Sequence, residues 1–409
     1  MRAMKNSGIE WIGEMPESWE TTRHKYVMHK EKNICEHYNG EDIISLTING
    51  VIVRDLDAGG KMPTTFDGYQ YVEPNKLLLC LFDIDVTPRC VGVIRNYGLT
   101  SPAYSKFVVH DGYHIEYYDY LLRAIDDDKV LVHLAKNLRS SFTETDFGAL
   151  PTVVPPYPEQ QAISTYLDRQ CAHIDNIIEK TKASIEEYKK LRQAVITQAV
   201  TINGTPYKIS HIGELKNGLN YHATETKHII KILGVGDFKD FLVLNAMEQF
   251  SDLPIEDEIA NEFLLQNGDI IFVRSNGSKE LVGRSIMVDN IDFPLTYSGF
   301  CIRFRNIRTD IADNKYLLYF FRSYEFREAL QYQCFGTNIS NLSQDMISSV
   351  KIMLPPIKKQ QEIAAYLDQK CAEIDALITK KEQFLTELES YKKSMIYEYV
   401  TGKKEVPQA

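Results

Sequence analysis

The chain has 409 residues, 44% of them hydrophobic, with a formal net charge of −10 and a pI near 5.6. That composition is too apolar for a disordered chain and large enough for two or three cored domains, and no run of 18 apolar residues or amino-terminal apolar stretch suggests a membrane span or signal peptide. Seven cysteines without a CxxC pair exclude a disulfide framework and a zinc ribbon; a cytoplasmic chain with reduced, buried thiols is expected.

Acidity also argues against nucleic acid as a partner. Residues 1–150 carry 16 Lys/Arg against 22 Asp/Glu, and residues 205–352 carry 15 against 19. A DNA-binding reading therefore requires basic residues gathered on one face, or a partner that supplies phosphate contacts.

In chain order, the first globular region shows a strand-like run at Lys76–Phe82, a polar turn, a second strand at Cys90–Ile94, and a Tyr-Leu-Leu helix start at Tyr120–Leu122. Its candidate contacts for nucleic acid are Arg89, Arg95, Lys106, Arg139 and Ser140, because such side chains hold phosphates or read base edges. His110 and His114 are spaced like a helical metal pair, but a third ligand is missing and a surface role is expected.

Pro155-Pro156 then marks a boundary. From about Gln160 to Ala199 the apolar positions fall alternately four and three apart: Leu167, Cys171, Ile174, Ile178, Thr181, Ile185, Tyr188, Arg192, Val195 and Ala199. This predicts a helix roughly 60 Å long whose narrow apolar stripe needs a partner helix.

The second globular region repeats the plan. Strands are expected at Asp269–Arg274 and Gly283–Val288, and a helix start at Tyr316–Leu318. Arg274, Asn276, Lys279 and Arg284 crowd one loop, Arg303 and Arg305 share a face of a strand-like segment, and Asn338 and Asn341 precede the second Pro-Pro. Gly277–Gly283 has the wrong spacing and no lysine for a phosphate loop, the methyltransferase signature is absent, and no Pro-Asp dipeptide supports a nuclease centre.

The stretch from Pro355 to Asp375, PPIKKQQEIAAYLDQKCAEID, matches PPYPEQQAISTYLDRQCAHID, Pro155 to Asp175, at 12 of 21 positions. Ile12-Gly13-Glu14 and Val200-Thr201 recur on the same offset of 200. The second seam runs through Leu367, Cys371, Ile374, Ile378, Lys381, Leu385, Leu388, Lys392, Met395 and Tyr399, so the obvious partner of each helix is the other copy. A pseudo-twofold axis crossing the helices makes them antiparallel; an axis along them places both globular regions at one end. The polar seam residues Thr181, Lys381, Arg192 and Lys392 read as snorkelling side chains, with register setting as the sharper alternative.

SGIEWIGEMPESWE at residues 7–20, the two PP-x3-QQ-x-I-x2-YLD segments and the closing VTG at Val400–Gly402 resemble the specificity subunit of Type I restriction-modification systems. The resemblance implies an α+β fold: target recognition domains at 1–153 and 205–353, and conserved long helices at 154–204 and 354–409 forming an antiparallel coiled coil that acts as a ruler. It implies a non-catalytic chain that reads a bipartite, asymmetric site in double-stranded DNA and docks two modification and two restriction subunits. No cofactor is expected in this chain; S-adenosylmethionine, ATP and Mg would act through the partners. The second copy departs from the first at His211 for Trp11 and Leu219 for Trp19. The other readings are a single-chain methyltransferase or nuclease, and an acidic structural adaptor or DNA-mimic antirestriction protein.

Overall fold

The computed structural model describes residues 2–57, 63–87, 89–127, 129–134, 141–220, 228–238, 242–244, 250–255, 259–275, 281–333 and 341–407. The chain divides into two compact units, Met1–Thr181 with Gln383–Ala409, and Lys182–Glu382. Each takes in one mixed α/β domain and part of both long helices, Tyr157–Val200 and Ile357–Val400, of 44 residues each.

In the first unit a four-stranded antiparallel sheet runs in the order Met28–Glu31, Ser105–Val109, Lys76–Leu79, Val91–Ile94. The second unit has the same four strands as Gly213–Asn217, Cys301–Asn306, Ile270–Val273 and Ser285–Val288, extended by a parallel fifth, Val243–Leu244. Their registers coincide. Leu77 faces Phe107 and Val93, as Ile270 faces Phe304 and Met287. The duplication therefore extends into sheets whose sequences no longer show it.

The strands are shorter than the sequence suggests, Lys76–Leu79, Val91–Ile94, Ile270–Val273 and Ser285–Val288. Both helix starts come earlier than expected, at Ile115 and Asn314. The second has a cap that the apolar pattern does not reveal, since the Asp313 side chain accepts from Tyr316 N.

Every identical polar residue of the duplicated segment except the second glutamine and the tyrosine has the same task in both copies. Gln160 is buried; its Nε2 donates to Pro155 O at 2.8 Å and its Oε1 accepts from His114 N at 2.8 Å. Gln360 makes the corresponding bonds to Pro355 O at 2.8 Å and from Asp313 N at 2.9 Å. These glutamines satisfy backbone groups that the Pro-Pro turn leaves without ladder partners. Asp168 accepts from Tyr120 Oη and Asp368 from Tyr319 Oη, both at 2.8 Å, which fixes the domain helix on the long helix.

The apolar identities form the cores. Leu167, Cys171 and Ile174 are buried with Trp19, Tyr117 and Phe147, and with Met395, Ile396 and Tyr399 of the second long helix; Ile178 is half-buried against the same cluster. Leu367 and Cys371 are buried with Tyr316, Phe320, Phe326, Ile196 and Val200; Ile374 and Ile378 are also buried. The six described cysteines are free and buried.

The helices run antiparallel within each unit. In the first, Tyr399 Oη donates to Tyr166 Oη at 3.2 Å and Lys392 Nζ lies 2.6 Å from Asp175 Oδ1. In the second, Lys381 Nζ lies 5.6 Å from the centre of the Tyr188 ring and Arg192 pairs with Asp375. The reading of Arg192 and Lys392 as snorkelling side chains is therefore corrected. Both meet a carboxylate on the facing helix, which a one-turn slip of about 5.4 Å would separate.

Candidate nucleic-acid interface

In each unit a residue just past the third sheet strand, Lys76–Leu79 or Ile270–Val273, meets the segment preceding the last short helix before the Pro-Pro. In the second unit Arg274 O accepts from Leu342 N at 2.8 Å; in the first, Leu81 O accepts from Phe142 N at 2.8 Å. The sheet registers make Leu81 and Arg274 equivalent, and Phe142 and Leu342 are one repeat of 200 apart. A shared corner is built twice, with different side chains at its surface.

The second corner brings Arg274 beside Asn341 and leaves Arg284 apart from them. Arg274 donates from its backbone N to Phe300 O at 2.8 Å and from its guanidinium to Gly299 O at 3.4 Å. Arg284 stands opposite Val273, its carbonyl accepting from Val273 N at 2.9 Å and its guanidinium donating to Phe238 O at 3.4 Å, so its side chain lies on the other face of the strand pair from that of Arg274. Asn341 is exposed beside Leu342, and the Phe300 ring is 60% exposed. Asn276, Lys279 and Asn338 lie outside the described residues.

At the first corner Arg89 flanks the loop, half-buried, with Nε donating to Val91 O at 2.8 Å. Burial lowers its pKa. Asp83 holds a left-handed backbone at φ +46°, and Phe82 and Val86 stand in the loop, Val86 being 74% exposed. Arg95 is exposed and pairs with Glu116 at 3.1 Å, away from this loop in sequence. Arg139 and Ser140 also lie outside the described residues.

Three candidates are drawn inward. Lys106 is fully buried; its Nζ donates to Tyr71 O at 2.8 Å and meets Glu73 and Glu31 at 3.1 and 3.2 Å. Arg303 occupies the equivalent strand position, is 4% exposed, and donates to Glu262 O at 2.8 Å. Arg305 holds buried Asp269 in a two-bond pair, 2.7 and 2.6 Å, and donates to Leu264 O. The hydrogen bonds that Arg305 donates to Asp269 raise the Arg305 pKa above its ordinary value. Lys106 and Arg303 thus tie the segment leading into the central strand to its neighbour, and their burial keeps their charge from a duplex surface.

His110 Nε2 lies 2.9 Å from His29 Nδ1, and His114 Nδ1 lies 3.3 Å from Ser164 Oγ. Among the described residues no group of three His, Cys, Asp or Glu is placed to hold a metal ion. None of the described helices is long and apolar enough to cross a membrane. The exposed apolar side chains at the corners, Phe82, Val86 and Phe300, were not anticipated. Their signal is an apolar residue inside a polar loop between two strands.

Residues 206–387 match the family model of the type I restriction modification DNA specificity domain. The chain is 29% identical over 278 residues to the specificity subunit of the type I restriction enzyme StySPI of Salmonella potsdam, and 27% identical over 278 residues to that of EcoKI of Escherichia coli K12. Both alignments cover 63% of this chain and 58% of the relative, so the chain spans little more than half of those proteins. The putative MjaX specificity subunit of Methanocaldococcus jannaschii aligns over 430 positions at 22% identity, covering 96% of this chain and 95% of its own. In fold the chain is similar to one from a type I R-M system solved for its complex assembly and conformational transition, with a TM-score of 0.71, 12% identity, and coverage of 95% and 99%. It is similar also to the HsdS subunit of Thermoanaerobacter tengcongensis, with a TM-score of 0.51, 13% identity, and coverage of 95% and 98%.

Proposed function

We propose that the chain is a type I restriction-modification specificity subunit, the non-catalytic chain that reads a bipartite, asymmetric DNA site; the match of residues 206–387 to that family's DNA specificity domain supports the reading. Each mixed α/β domain reads one half, and the chain docks modification subunits, which methylate adenine, and restriction subunits. S-adenosylmethionine, ATP and Mg belong to those partners in this reading.

The carrying observation is a frame built twice with different surfaces. Gln160 and Gln360, Asp168 and Asp368, and Asp175 and Asp375 repeat their bonds, whereas Phe82 and Val86 at one corner stand against Arg274, Phe300 and Asn341 at the other. Two halves of an asymmetric sequence require two different reading surfaces on one scaffold. Arg274 and Asn341 supply guanidinium and amide donors at the second corner, suited to guanine edges, adenine edges or phosphates.

The net charge of −10 favours a second reading, a DNA mimic that occupies a partner's groove. Selection from a random duplex library by the complex of this chain with its modification subunit separates the two. Enrichment of one split motif supports the specificity subunit. A stable complex that enriches no sequence and resists DNA would overturn it.

A further inference from the structure

The first unit contains a recessed cavity of about 120 Å³ between residues 8–11, the helices Ile115–Asp127 and Val130–Leu134, and His24. Ile9, Ile125 and Leu131 form its buried wall, Trp11 stands half-buried at its side, and Glu10 is the exposed charge at its rim. The volume approaches the roughly 150 Å³ of an apolar cavity that admits a benzene-sized molecule.

His24 brings the polar atoms. The residue is 1% exposed, and its Nδ1 has no hydrogen-bond partner among the described residues. Its backbone N donates to Leu150 O at 3.1 Å and its ring stacks on Phe147 at 4.8 Å, so the imidazole is held from the backbone and from one face. Burial keeps the ring neutral, its pKa lowered from 6.5 to about 4.

A neutral imidazole carries one donor nitrogen and one acceptor nitrogen, and a buried nitrogen left without a partner is costly. The other buried side chains of the wall are apolar. A small ring with one polar atom suits such a site better than a water, which needs about two to four polar partners.

We propose that this cavity binds a neutral aromatic molecule of the size of phenol, its ring against the apolar wall and its hydroxyl on the His24 imidazole. A hydroxyl both donates and accepts, so it can pair with the imidazole in either tautomer. An anion of the same shape is excluded, because it would leave water for an apolar wall with Glu10 at the entrance. The inference is independent of the DNA-reading function.

Isothermal titration of the full chain with phenol, with benzene and with sodium benzoate tests it. Saturable binding of phenol is expected, about tenfold tighter than benzene, the worth of one hydrogen bond, and benzoate should not bind. His24→Leu should bring phenol down to the affinity of benzene, with benzene still bound. Tryptophan fluorescence covers the case of a poorly folded His24→Leu. Phenol should change it in the parent and not in Trp11→Phe, where fully buried Trp19 is the remaining tryptophan. No saturable binding of phenol, or benzene or benzoate bound as tightly as phenol, would overturn the proposal. So would a phenol preference surviving in His24→Leu or a fluorescence change surviving in Trp11→Phe.

Discussion

Lys392 Nζ lies 2.6 Å from the Asp175 carboxylate, and Arg192 stands in the same relation to Asp375. The aspartates belong to the duplicated Ile-Asp, and each cation comes from the far end of the facing helix. Asp175 is about half exposed, so the pair is worth little as an isolated contact, about 0.2–1 kcal/mol. Its specificity comes from geometry, because only one antiparallel register brings both partners together. A double-mutant cycle of Lys392→Glu and Asp175→Lys, read by denaturant unfolding, should show each single change destabilising and the double change partly restoring stability. Additive effects would mean that the pair is not coupled.

Lys106 is expected to behave as a core residue. Lys106→Met leaves Tyr71 O and two carboxylates without their buried cation, and should destabilise the first unit by about 2–4 kcal/mol. Lys106→Arg should also be poorly tolerated, because the larger guanidinium must enter a fully buried site. Unfolding curves within 0.5 kcal/mol of the parent, a rough limit for surface positions, would contradict this assignment.

The same cluster makes a contribution that depends on pH. The hydrogen bond from Lys76, helped by Lys106 against the cost of burial, lowers the Glu31 pKa below its ordinary 4.5. A depressed carboxylate stabilises the fold above its unfolded pKa, and that stabilisation is lost as pH falls through the lower folded value. Lys76→Met should therefore reduce the loss of stability on acidification below pH 4.5, measured by denaturant titration at successive pH values.

His24 acts in a higher window. It is fully buried and stacked on Phe147 at 4.8 Å, and burial lowers its pKa from 6.5 to about 4. The folded state holds the ring neutral while the unfolded state takes up a proton below 6.5, so stability present above 6.5 is lost as pH falls toward 4. The gap corresponds to about 3 kcal/mol at most. His24→Leu should flatten the dependence between those values; an unchanged slope would show that the ring is protonated in the fold.

Arg305 and Asn341 separate folding from recognition. Arg305→Ala leaves the buried Asp269 carboxylate without its two-bond partner and should cost about 3–5 kcal/mol. Asn341→Ala removes an exposed amide and should leave stability within about 0.5 kcal/mol. It should, however, alter the sequence preference at one half-site only. Loss of preference at both halves would contradict the division of labour between the domains.

The helical frame was legible because its constraints are local and written twice. Pro-Pro fixes the turn, Gln160 and Gln360 satisfy it, and Leu167, Cys171, Ile174 and their counterparts keep a helical period. The reading surface was less legible. Lys106, Arg303 and Arg305 look in sequence like surface cations, and only the sheet register turns them inward. In Cys301–Asn306 the apolar Ile302 and Phe304 alternate with Arg303 and Arg305, the pattern of a strand with one solvent face, which hid the burial of the arginines. The corner joining Arg274 to Leu342 spans 68 residues of chain, and no periodicity carries that information.

In the function proposed above, this chain gives a methyltransferase its target sequence. Base-resolution mapping of N6-methyladenine, in DNA from cells expressing the chain together with its modification subunit, tests that most directly. One split, asymmetric motif methylated on both strands is the predicted result, with one half altered by Asn341→Ala. Methylation at an unsplit motif, or unmethylated DNA despite a stable complex of the two proteins, would contradict the account.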